Sequence, residues 1–413
     1  MRIIDYIFIG LLGLFFEKVQ AIDIQVGPAT HHKSLKAAIA QAQPGDTLCI
    51  QSGLYREGNL VIDKSLTLIG EGEVVLDGQH RYEVLTITAS NVTVMGLTIK
   101  NAGKASLSDL AAIKIRGAQG VQILHNRIEK AVFGIYFEKT QHSRVIGNEI
   151  IAQHTNAQSA GNGIHVWKSE HLYIANNRIE GHRDGIYFEF VDDSKVLRNH
   201  SEGNLRYGLH FMFSHRDDYR HNVFVRNGAG IAVMYSRQVK MYHNQFRESW
   251  GNASNGLLLK EITDSEVAYN YFEKNTIGTY VEGAVRVNIE HNHFHANGWA
   301  IKLRGSSYDN VFRYNNFTGN SFDLSVTSSI VQNEISQNYW SRYTGYDLNR
   351  DGKGDVPYHP VSIYSVVVEE VPPSLILMRS FTMDLLEKTE KTIPSLTPEK
   401  LVDAQPLMKQ LPL

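Results

Sequence analysis

The sequence predicts an all-β solenoid: a parallel β-helix with a cap at its N-terminal end and a helical tail at its C-terminal end. The prediction rests on one glycine and one asparagine that recur with a common period. Most of their steps are 22 or 23 residues; the positions are Gly134, Gly163, Gly185, Gly208, Gly230, Gly256 and Gly278, and Asn126, Asn148, Asn177, Asn199, Asn222, Asn244, Asn270, Asn292, Asn315 and Asn338. Such a period along most of a chain indicates stacked coils, because each coil buries its apolar residues only against its neighbours.

The composition excludes some classes of function. The chain has 413 residues, 33 glycines, 20 tyrosines and a formal net charge of -2. A solenoid of this length can be one domain, because it grows without enlarging its core. The near-neutral charge argues against a nucleic-acid partner, since binding phosphates needs many cations. Because Cys49 is the sole cysteine, an intrachain disulfide is excluded.

Residues 1–21 have the features of a secretory signal peptide. Arg2 supplies the basic start, residues 7–16 are apolar, and Val19-Gln20-Ala21 resembles a small-residue cleavage site. The apolar run is shorter than the roughly 20 residues that span a bilayer. The alternative is an uncleaved membrane anchor.

Residues 22–91 are expected to form the N-terminal cap and the first coils. A short amphipathic helix begins after Ser34, whose side chain suits the N-cap position. A turn at residues 44–46 and short alternating strands follow it. A helix over the open end of a β-helix protects the exposed core and the edge strands.

Residues 92–338 are the β-helix repeats. After each glycine, apolar and outward-facing residues alternate, so that Ile186 and Phe188 stack on Leu209 and Phe211 of the next coil. The asparagine column is interpreted as structural, because stacked amides at a corner hydrogen-bond the backbone and one another.

The outward columns carry the candidate site. The second and fourth positions after each glycine place Met212 beside Met234 on one exposed face, with His210 on that face and His215 in the following turn. Neighbouring members of a column lie about 4.8 Å apart. Thioether sulfur and imidazole suit Cu(I), so these four residues are the predicted copper site. The alternative is that the methionines pack under an inserted loop.

The remaining histidines of the repeats lie near the asparagine positions. They are interpreted mostly as corner and surface residues, and include His221, His243, His291, His293 and His295. The run from His291 to His295 also has the composition of a weak metal site, because imidazole is a common metal ligand.

A competing interpretation is carbohydrate chemistry, in a polysaccharide-active lyase or hydrolase or a carbohydrate-binding β-helix. Glycoside cleavage uses two neighbouring carboxylates as acid and base. Outward carboxylates are available at Glu138, Glu189, Glu282, Asp192 and Asp193. Trp167 separates Glu138 from Glu189 in their column, which does not favour such a pair. A purely structural scaffold is the third interpretation.

Residues 339–372 leave the repeat and are expected to hold a C-terminal coil and a loop of the calcium-binding type. With Gly352 at position six, oxygen ligands fall at positions one, three, five, seven and nine, which are Asp347, Asn349, Asp351, the Lys353 carbonyl and Asp355. Position twelve is Tyr358 instead of a bidentate glutamate. The alternative is a polar turn closed by bonds between side chains and backbone.

Residues 373–413 are the predicted helical docking tail. Apolar residues recur at helical spacing until Pro394, and a second short segment begins at Thr397 with proline at the first helical position. The tail is expected to lie outside the β-helix, either as a cap or as an apolar surface for a partner. A partner is favoured, with the docking residues Leu377, Phe381, Leu385 and Leu386.

Two resemblances add to these interpretations. The segment SLKAAIAQAQPGDTLCIQSGLYREGNLVIDKSLTLIGEGEVVLDG resembles the opening of right-handed β-helix proteins of the pectin-lyase-like superfamily, which implies fold and handedness but not function. A more specific resemblance covers almost the whole mature chain. It is carried by GNGIHVWKSE, GHRDGIYFEFVDDS, SEGNLRYGLHFMFSH, NGAGIAVMYSRQV, NYWSRYTGYDLNRDGKGDVPYHPV and the tail, which are similar to the NosD family of periplasmic maturation proteins for nitrous oxide reductase.

The NosD resemblance implies a periplasmic protein that works with an ABC transporter, made of an ATPase and a membrane subunit, in assembling the copper centres of the reductase. It implies a copper chaperone lipoprotein as the donor of Cu(I). The tail would then dock on the membrane subunit and hold the protein at the membrane. The resemblance supplies no catalytic residues, so a non-enzymatic role is expected. The assignment of copper to Met212, Met234 and His210 comes from column geometry and not from the resemblance.

Overall fold

The computed structural model describes residues 21–412, except 106–107, 252–253, 328–331, 379 and 394–400. Residues 1–20 of the predicted signal peptide and the expected helix start at Thr397 lie outside the described residues. Within the described part of the chain, none of the helices has both the length and the apolar composition needed to cross a bilayer.

The chain forms a right-handed parallel β-helix, as predicted. Strands of successive coils pair in parallel register and make three faces. Face one is a twelve-stranded sheet whose later strands begin near the recurring glycines. Its strands are Leu60–Ile62, Leu85–Ile87, Ala111–Arg116, Phe133–Glu138, Ile164–Glu170, Asp184–Asp192, Tyr207–Met212, Ala229–Met234, Asn255–Lys260, Ile277–Glu282, Trp299–Arg304 and Phe322–Val326.

Faces two and three belong to one 25-stranded sheet, because the long strand Thr67–Asp77 pairs with strands of both. Each asparagine corner separates a strand of face two, such as Asp218–Arg220, from a strand of face three, such as Val223–Val225. The other strands of this sheet are Asp23–Val26, Thr47–Tyr55, Thr93–Met95, Thr98–Lys100, Gln122–Leu124, Arg127–Glu129, Arg144–Ile146, Glu149–Ile151, Tyr173–Ala175, Arg178–Glu180, Lys195–Leu197, His200–Glu202, Lys240–Tyr242, Gln245–Arg247, Glu266–Ala268, Tyr271–Glu273, Asn288–Glu290, His293–His295, Val311–Arg313, Asn316–Thr318, Glu334–Ser336 and Tyr339–Trp340.

The core is a set of side-chain stacks inside the coils. Ile186 and Phe188 pair with Leu209 and Phe211 of the next coil, and all four are fully buried. Face three contributes a stack of rings with centroids 4.7–5.6 Å apart, formed by Phe224, Phe246, Phe272, Phe294 and Phe317. Each coil therefore buries its apolar residues against its two neighbours, as expected for a solenoid.

The recurring glycines permit the coils to approach closely. A Cβ atom on Gly208 would lie 2.8 Å from the carbonyl oxygen of Gly230 in the next coil. A larger side chain at Gly208 would have to displace backbone, whereas the coils on either side of the glycine column accommodate Ala112 and Ala300.

The asparagine column forms a hydrogen-bond ladder along the corner between faces two and three. The backbone N–H and the side-chain Nδ2 of Asn222 both donate to Asn244 Oδ1, each at 3.0 Å. Nδ2 also donates to the Val196 carbonyl at 2.8 Å. In turn, Asn222 Oδ1 accepts the equivalent two donors of Asn199. Each amide thus satisfies buried backbone groups of neighbouring coils, which confirms the structural interpretation.

A second asparagine ladder, at the corner between faces three and one, was not recognised in the sequence. The backbone N–H of Asn204 donates to Asn227 Oδ1 at 2.9 Å, and Asn275 donates in the same way to Asn297 at 3.0 Å. The signal was available, because each of these residues follows the first asparagine of its coil by five positions.

A short helix, α1 (Leu35–Gln41), covers the N-terminal end of the core. Ser34 is its N-cap as predicted, because Oγ accepts the N–H of Ala37 at 3.2 Å. The carboxylate of Glu57 accepts two further N–H groups of the first turn, at 2.8 Å each. The buried residues of the helix are Leu35, Ala38 and Ile39.

Residues 339–372 contain a helix that was not expected from the sequence. This helix, α2 (Ile363–Glu370), packs on the last strands of face one, where Val368 is buried. Glu369 pairs with Lys302 Nζ at 3.0 Å and also contacts Arg304. A 3-10 helix (Pro372–Leu377) and α3 (Phe381–Thr392) follow within the stretch predicted to be helical. Because α2 covers the last coils, the open part of face one lies over the middle coils.

The end of the tail, residues 401–412, folds back on the last coil of the β-helix, which is the cap alternative named for the tail. The buried Asp403 carboxylate accepts the N–H of Asn338 at 2.9 Å and Nε1–H of Trp340 at 3.0 Å. Leu407 pairs with Tyr339 in parallel. The physical reason is the last rung of the ladder: Asn338 has no following asparagine, and Asp403 supplies the acceptor instead.

Replacing Asn222 by alanine should lower the free energy of unfolding by about 2–4 kcal/mol, because the Asn199 N–H and the Val196 carbonyl lose buried partners. The matched control is the exposed Asn288 on face two, where alanine should cost less than about 0.5 kcal/mol. Urea unfolding followed by circular dichroism measures both variants. Equal stability of Asn222→Ala and the wild type would contradict a stabilising role for the ladder.

Candidate functional site

Face one places the two predicted sulfur ligands side by side. The strands Tyr207–Met212 and Ala229–Met234 pair in parallel, and Met212 and Met234 are direct partners in the register. Both side chains are partly exposed on the outer surface. Residues paired in this way on adjacent strands lie about 4.8 Å apart.

A tyrosine of the preceding coil borders the sulfur of Met212. The Tyr187 hydroxyl lies 3.7 Å from Met212 Sδ and 3.3 Å from Glu189 Oε2. Burial and the negative charge of Glu189 raise the pKa of Tyr187 to about 12, so the hydroxyl stays protonated at neutral pH. The hydroxyl has one proton, so Tyr187 donates either to Glu189 or to the sulfur of Met212. In either case Met212 Sδ keeps an electron pair for another partner.

His210 lies on the same outer surface but is buried, with 4% of its surface exposed. The rings of Tyr187 and Tyr207 cover it, with centroids 5.0 and 4.7 Å from that of the imidazole. The expectation of an exposed position is therefore wrong for this residue, because Tyr187, its register partner in the preceding coil, and Tyr207 of its own strand close over it.

A buried carboxylate faces this imidazole. His210 Nδ1 lies 3.5 Å from Oδ2 of the fully buried Asp184. Asp184 Oδ1 accepts the N–H of Tyr207 at 3.3 Å, and the Nε atoms of Arg183 and Arg206 lie 3.8 and 3.9 Å from the carboxylate. These cations offset the cost of burying a negative charge. Neither His210 Nδ1 nor Asp184 Oδ2 makes a hydrogen bond within the described part of the chain. A carboxylate that accepts a hydrogen bond from Nδ1 is the arrangement that orients a metal-binding histidine.

The structure does not bring His215 to the methionines. It lies three residues beyond Met212, past Phe213, whose left-handed backbone (φ 51°) turns the chain. There His215 occupies the bridge position between Asp192 and Arg237 of the neighbouring coils. Its backbone N–H donates to Asp192 Oδ1 at 3.0 Å, so it belongs to the next corner of the coil.

Three exposed aromatic rings border the site, and they were not recognised in the sequence. Phe190, Phe213 and Tyr235 stack with centroids 5.2 and 5.0 Å apart. The latter two directly follow Met212 and Met234. An aromatic residue at one repeat position in three successive coils was the available signal. The stack gives the methionine pair an apolar border.

A ring column on face one leads up to the site. His165 stacks between Tyr136 and Tyr187, with centroids 4.3 and 4.8 Å apart. Asn162 Nδ2 donates to His165 Nδ1 at 2.9 Å, which leaves the imidazole proton on Nε2. Burial, reinforced by the charge of Arg183, lowers the pKa of His165 to about 3.

The candidate donors on this part of face one are the thioethers of Met212 and Met234 and the imidazole of His210, two residues before Met212 on the same strand. Among the residues that the structure describes, no three or more His, Cys, Asp or Glu side chains form a group that could hold a metal. Methionine is outside that set of residue types. His210 Nε2 has no hydrogen-bond partner within the described part of the chain. This donor set fits a soft ion such as Cu(I) better than it fits Mg²⁺ or Ca²⁺.

Comparisons with known proteins show the family. Residues 146–349 match the family described as "Periplasmic copper-binding protein (NosD)". The "Probable ABC transporter binding protein NosD" of Stutzerimonas stutzeri is 30% identical over 380 residues, which cover 87% of this chain and 86% of that protein. The protein of that name from Pseudomonas aeruginosa is 31% identical over 415 aligned positions, which cover 93% and 96%. This chain belongs to the NosD family.

Solved structures match the fold of this NosD-family chain. The Family 28 exopolygalacturonase of Yersinia enterocolitica is similar with a TM-score of 0.54 and 12% identity, over 77% of this chain and 78% of that chain. The catalytic unit of the GH87 alpha-1,3-glucanase of Streptomyces thermodiastaticus has a TM-score of 0.55 and 15% identity, over 76% and 66%. At these identities the likeness shows the β-helix fold alone.

The five outward carboxylates considered for carbohydrate chemistry have other partners in this NosD-family chain. Each contacts a cation or a hydroxyl of its own or a neighbouring coil; the pairs are Glu138–Arg116, Glu282–Lys260, Asp192–Arg216, Asp193–Arg216 and Glu189–Tyr187. A glycosidase instead needs two carboxylates that face each other across the substrate.

The loop of calcium-binding type is closed by its own carboxylates. Asp347 accepts the N–H groups of Asp351 at 3.2 Å and Gly352 at 2.9 Å, and Asp355 accepts that of Leu348 at 2.6 Å. Gly352 has the left-handed φ of 85° that such a turn favours. These bonds are those of the polar-turn interpretation, and calcium binding at this loop stays a prediction.

The predicted docking residues lie on an apolar surface of the C-terminal helices. Phe381 is 81% exposed, Leu377 and Leu385 are exposed, and Leu386 is partly buried. We call the exposed set the tail patch; it consists of Val371, Leu375, Ile376, Leu377, Phe381 and Leu385. Exposed apolar groupings of this kind mark interaction sites.

The stability of the protein should fall in acid partly because of His165. Between the ordinary pKa of 6.5 and the folded pKa of about 3, the unfolded chain binds a proton at this position and the folded chain does not. The free energy of unfolding therefore decreases as the pH falls through this window, by up to about 1.4 kcal/mol per pH unit.

Replacing His165 by glutamine should remove this contribution. The decrease in the free energy of unfolding between neutral pH and about pH 5 should then be smaller than that of the wild type by about 2 kcal/mol. Urea unfolding at the two pH values measures it, and His125→Gln, at an exposed histidine, should keep the wild-type slope. A slope in His165→Gln identical to that of the wild type would refute the prediction.

Proposed function

We propose that this NosD-family protein is a non-enzymatic periplasmic assembly factor for the copper centres of nitrous oxide reductase. It holds Cu(I) transiently at Met212 and Met234, together with His210. The observation that carries the proposal is the direct pairing of the two methionines on the outer surface, in a chain whose family is described as copper-binding. In this role copper is cargo that the protein receives and passes on.

The donor set favours Cu(I) by its softness. Two thioethers and an imidazole match a soft monovalent ion. The carboxylates of Glu189 and Asp184 lie beside the site and balance the charge of the ion without being its ligands. The proposal leaves out His215, because it occupies the next corner of the coil.

Asp184 acts in this proposal as a positioning residue. Its carboxylate lies 3.5 Å from His210 Nδ1, and the rings of Tyr187 and Tyr207 restrict the rotation of the imidazole. Outer partners of this kind fix the orientation and raise the basicity of a ligating histidine.

The tail patch is the proposed docking surface for the membrane subunit of an ABC transporter, which works with its ATPase. Two observations support this assignment. The relatives are named as ABC transporter binding proteins, and the patch combines exposed apolar residues, with Ile376 at 87% and Phe381 at 81%. Docking would hold the periplasmic protein at the membrane, where a copper chaperone lipoprotein delivers Cu(I) and nitrous oxide reductase receives it.

Changing both methionines to serine should weaken Cu(I) binding by more than about tenfold, because the soft ligands are lost. An anaerobic competition titration of the mature protein with Cu(I) measures this. Met95→Ser, at a partly exposed methionine of face two, is the matched control and should bind as the wild type does.

Asp184→Asn should weaken binding by about 10- to 100-fold with both sulfurs in place.

Two results would contradict the copper site. Unchanged affinity in Met212→Ser/Met234→Ser would move the ion elsewhere, and no Cu(I) binding by the wild type would exclude copper handling. Circular dichroism checks that each variant keeps its β-helix.

Introducing Asp at Phe381 and Leu385 should abolish co-purification with the transporter membrane subunit, because two charges would have to be buried in an apolar contact. Point changes are preferred to deletion of the tail, because Asp403 caps the β-helix. Leu54→Asp, at an exposed leucine near the N-terminal end, is the control. Undiminished co-purification of Phe381→Asp/Leu385→Asp would show that the partner binds another surface.

A further inference from the structure

Two imidazoles on face three converge on one oxygen atom, well away from the methionine pair in the coil order. His293 and His295 are two residues apart on one strand, so their side chains leave the same side of the sheet. His293 Nε2 lies 2.7 Å from Thr318 Oγ1, and His295 Nδ1 lies 2.9 Å from the same atom. Two nitrogen atoms from different rings thus point at one position.

The shared hydroxyl cannot serve both nitrogens in the same way. Thr318 Oγ1 has one proton and donates it to one imidazole, so the other imidazole must donate its own N–H to the oxygen. Neutral imidazole exchanges its two tautomers readily, and either nitrogen can present a free electron pair. When each ring carries its proton on its outer nitrogen, both electron pairs are directed at the position of Thr318 Oγ1. An ion bound by both rings therefore requires this hydroxyl to move aside before it can serve as a further ligand.

The surroundings keep the first imidazole neutral and leave its outer nitrogen without a partner. His293 is 8% exposed, and its Nδ1 has no hydrogen-bond partner within the described part of the chain. Burial, helped by His295, lowers the pKa of His293 to about 4. The partner of His295 in the preceding coil is Glu273, which adds a carboxylate to the same surface. Neutral imidazole is the form that binds metals.

We propose that His293 and His295, with the Thr318 hydroxyl, form a second metal site on face three that takes a divalent ion, Cu(II) in preference to Zn(II). Imidazole nitrogen and oxygen donors suit divalent copper, whereas the thioethers of face one suit Cu(I). The general order of affinities places Cu(II) above Zn(II) for such donors. This site does not depend on the copper role proposed for Met212 and Met234.

The site lies next to the contact between the β-helix and the end of the tail. Asn316, the partner of His293 in the next strand, exchanges two hydrogen bonds with the Leu411 backbone, at 2.9 and 3.0 Å. An ion held by His293 would bind the folded state in which this contact exists. Saturating Cu(II) should therefore raise the Tm of the mature protein.

The test adds CuCl₂ to the mature protein and records electron paramagnetic resonance spectra. The wild type should show coupling of the copper electron to imidazole nitrogens. His295→Ala should lose that signal and the rise in Tm. Two variants should keep both: His291→Ala, whose ring stacks between Tyr269 and Tyr314, and Met212→Ser/Met234→Ser.

The test substitutes His295 because this side chain is partly exposed. Its loss leaves the buried His293 in place, so the variant is expected to fold. Circular dichroism verifies its fold, and His295→Gln repeats the measurement with a side chain of intermediate size. A nitrogen-coupled signal unchanged in both variants would overturn the site. So would a wild type without such a signal, and tighter binding of Zn(II) than of Cu(II) would overturn the proposed preference.

Discussion

The hydrogen-bonded asparagine ladder is the interaction on which the rest of the molecule depends. Each amide takes its acceptor from the next coil, as Asn222 does from Asn244, and so fixes that coil in register. A slip of one residue would turn every inward side chain outward, so the register decides which residues meet. The pairing of Met212 with Met234 follows from this constraint and needs no attraction between the two side chains.

The repeat made much of the fold and part of the site predictable from the sequence. Its period gives the register, and the register gives the inward stack of Phe188 on Phe211 and the adjacency of the two methionines. The burial of His210 was predictable only in part: Tyr187 is its partner in the register, but the way Tyr207 leans across the imidazole does not follow from the columns. Asp184 precedes its glycine and so lies outside the outward columns that predicted the site.

The C-terminal region was the least predictable part, because it leaves the repeat. Helix α2 is placed by the pairing of Glu369 with Lys302 and Arg304, which are far from it in the sequence. Asp403 meets Asn338 across 65 residues. No local sequence pattern predicts such a contact. It arises because the last asparagine of a ladder is left with donors that need an acceptor.

The closed end of the solenoid also sets a distance between the two surfaces with proposed functions. Tyr364 of α2 lies against Phe322, with ring centroids 5.6 Å apart, so the helix is fixed to the last strand of face one. Four strand steps separate that strand from Ala229–Met234. At about 4.8 Å a step, Met234 lies about 19 Å away along the axis and Met212, one strand further, about 24 Å away. Helix α2 and the methionine pair therefore occupy different coils of face one, so a second protein that approaches the sulfur atoms would contact strands that α2 does not cover.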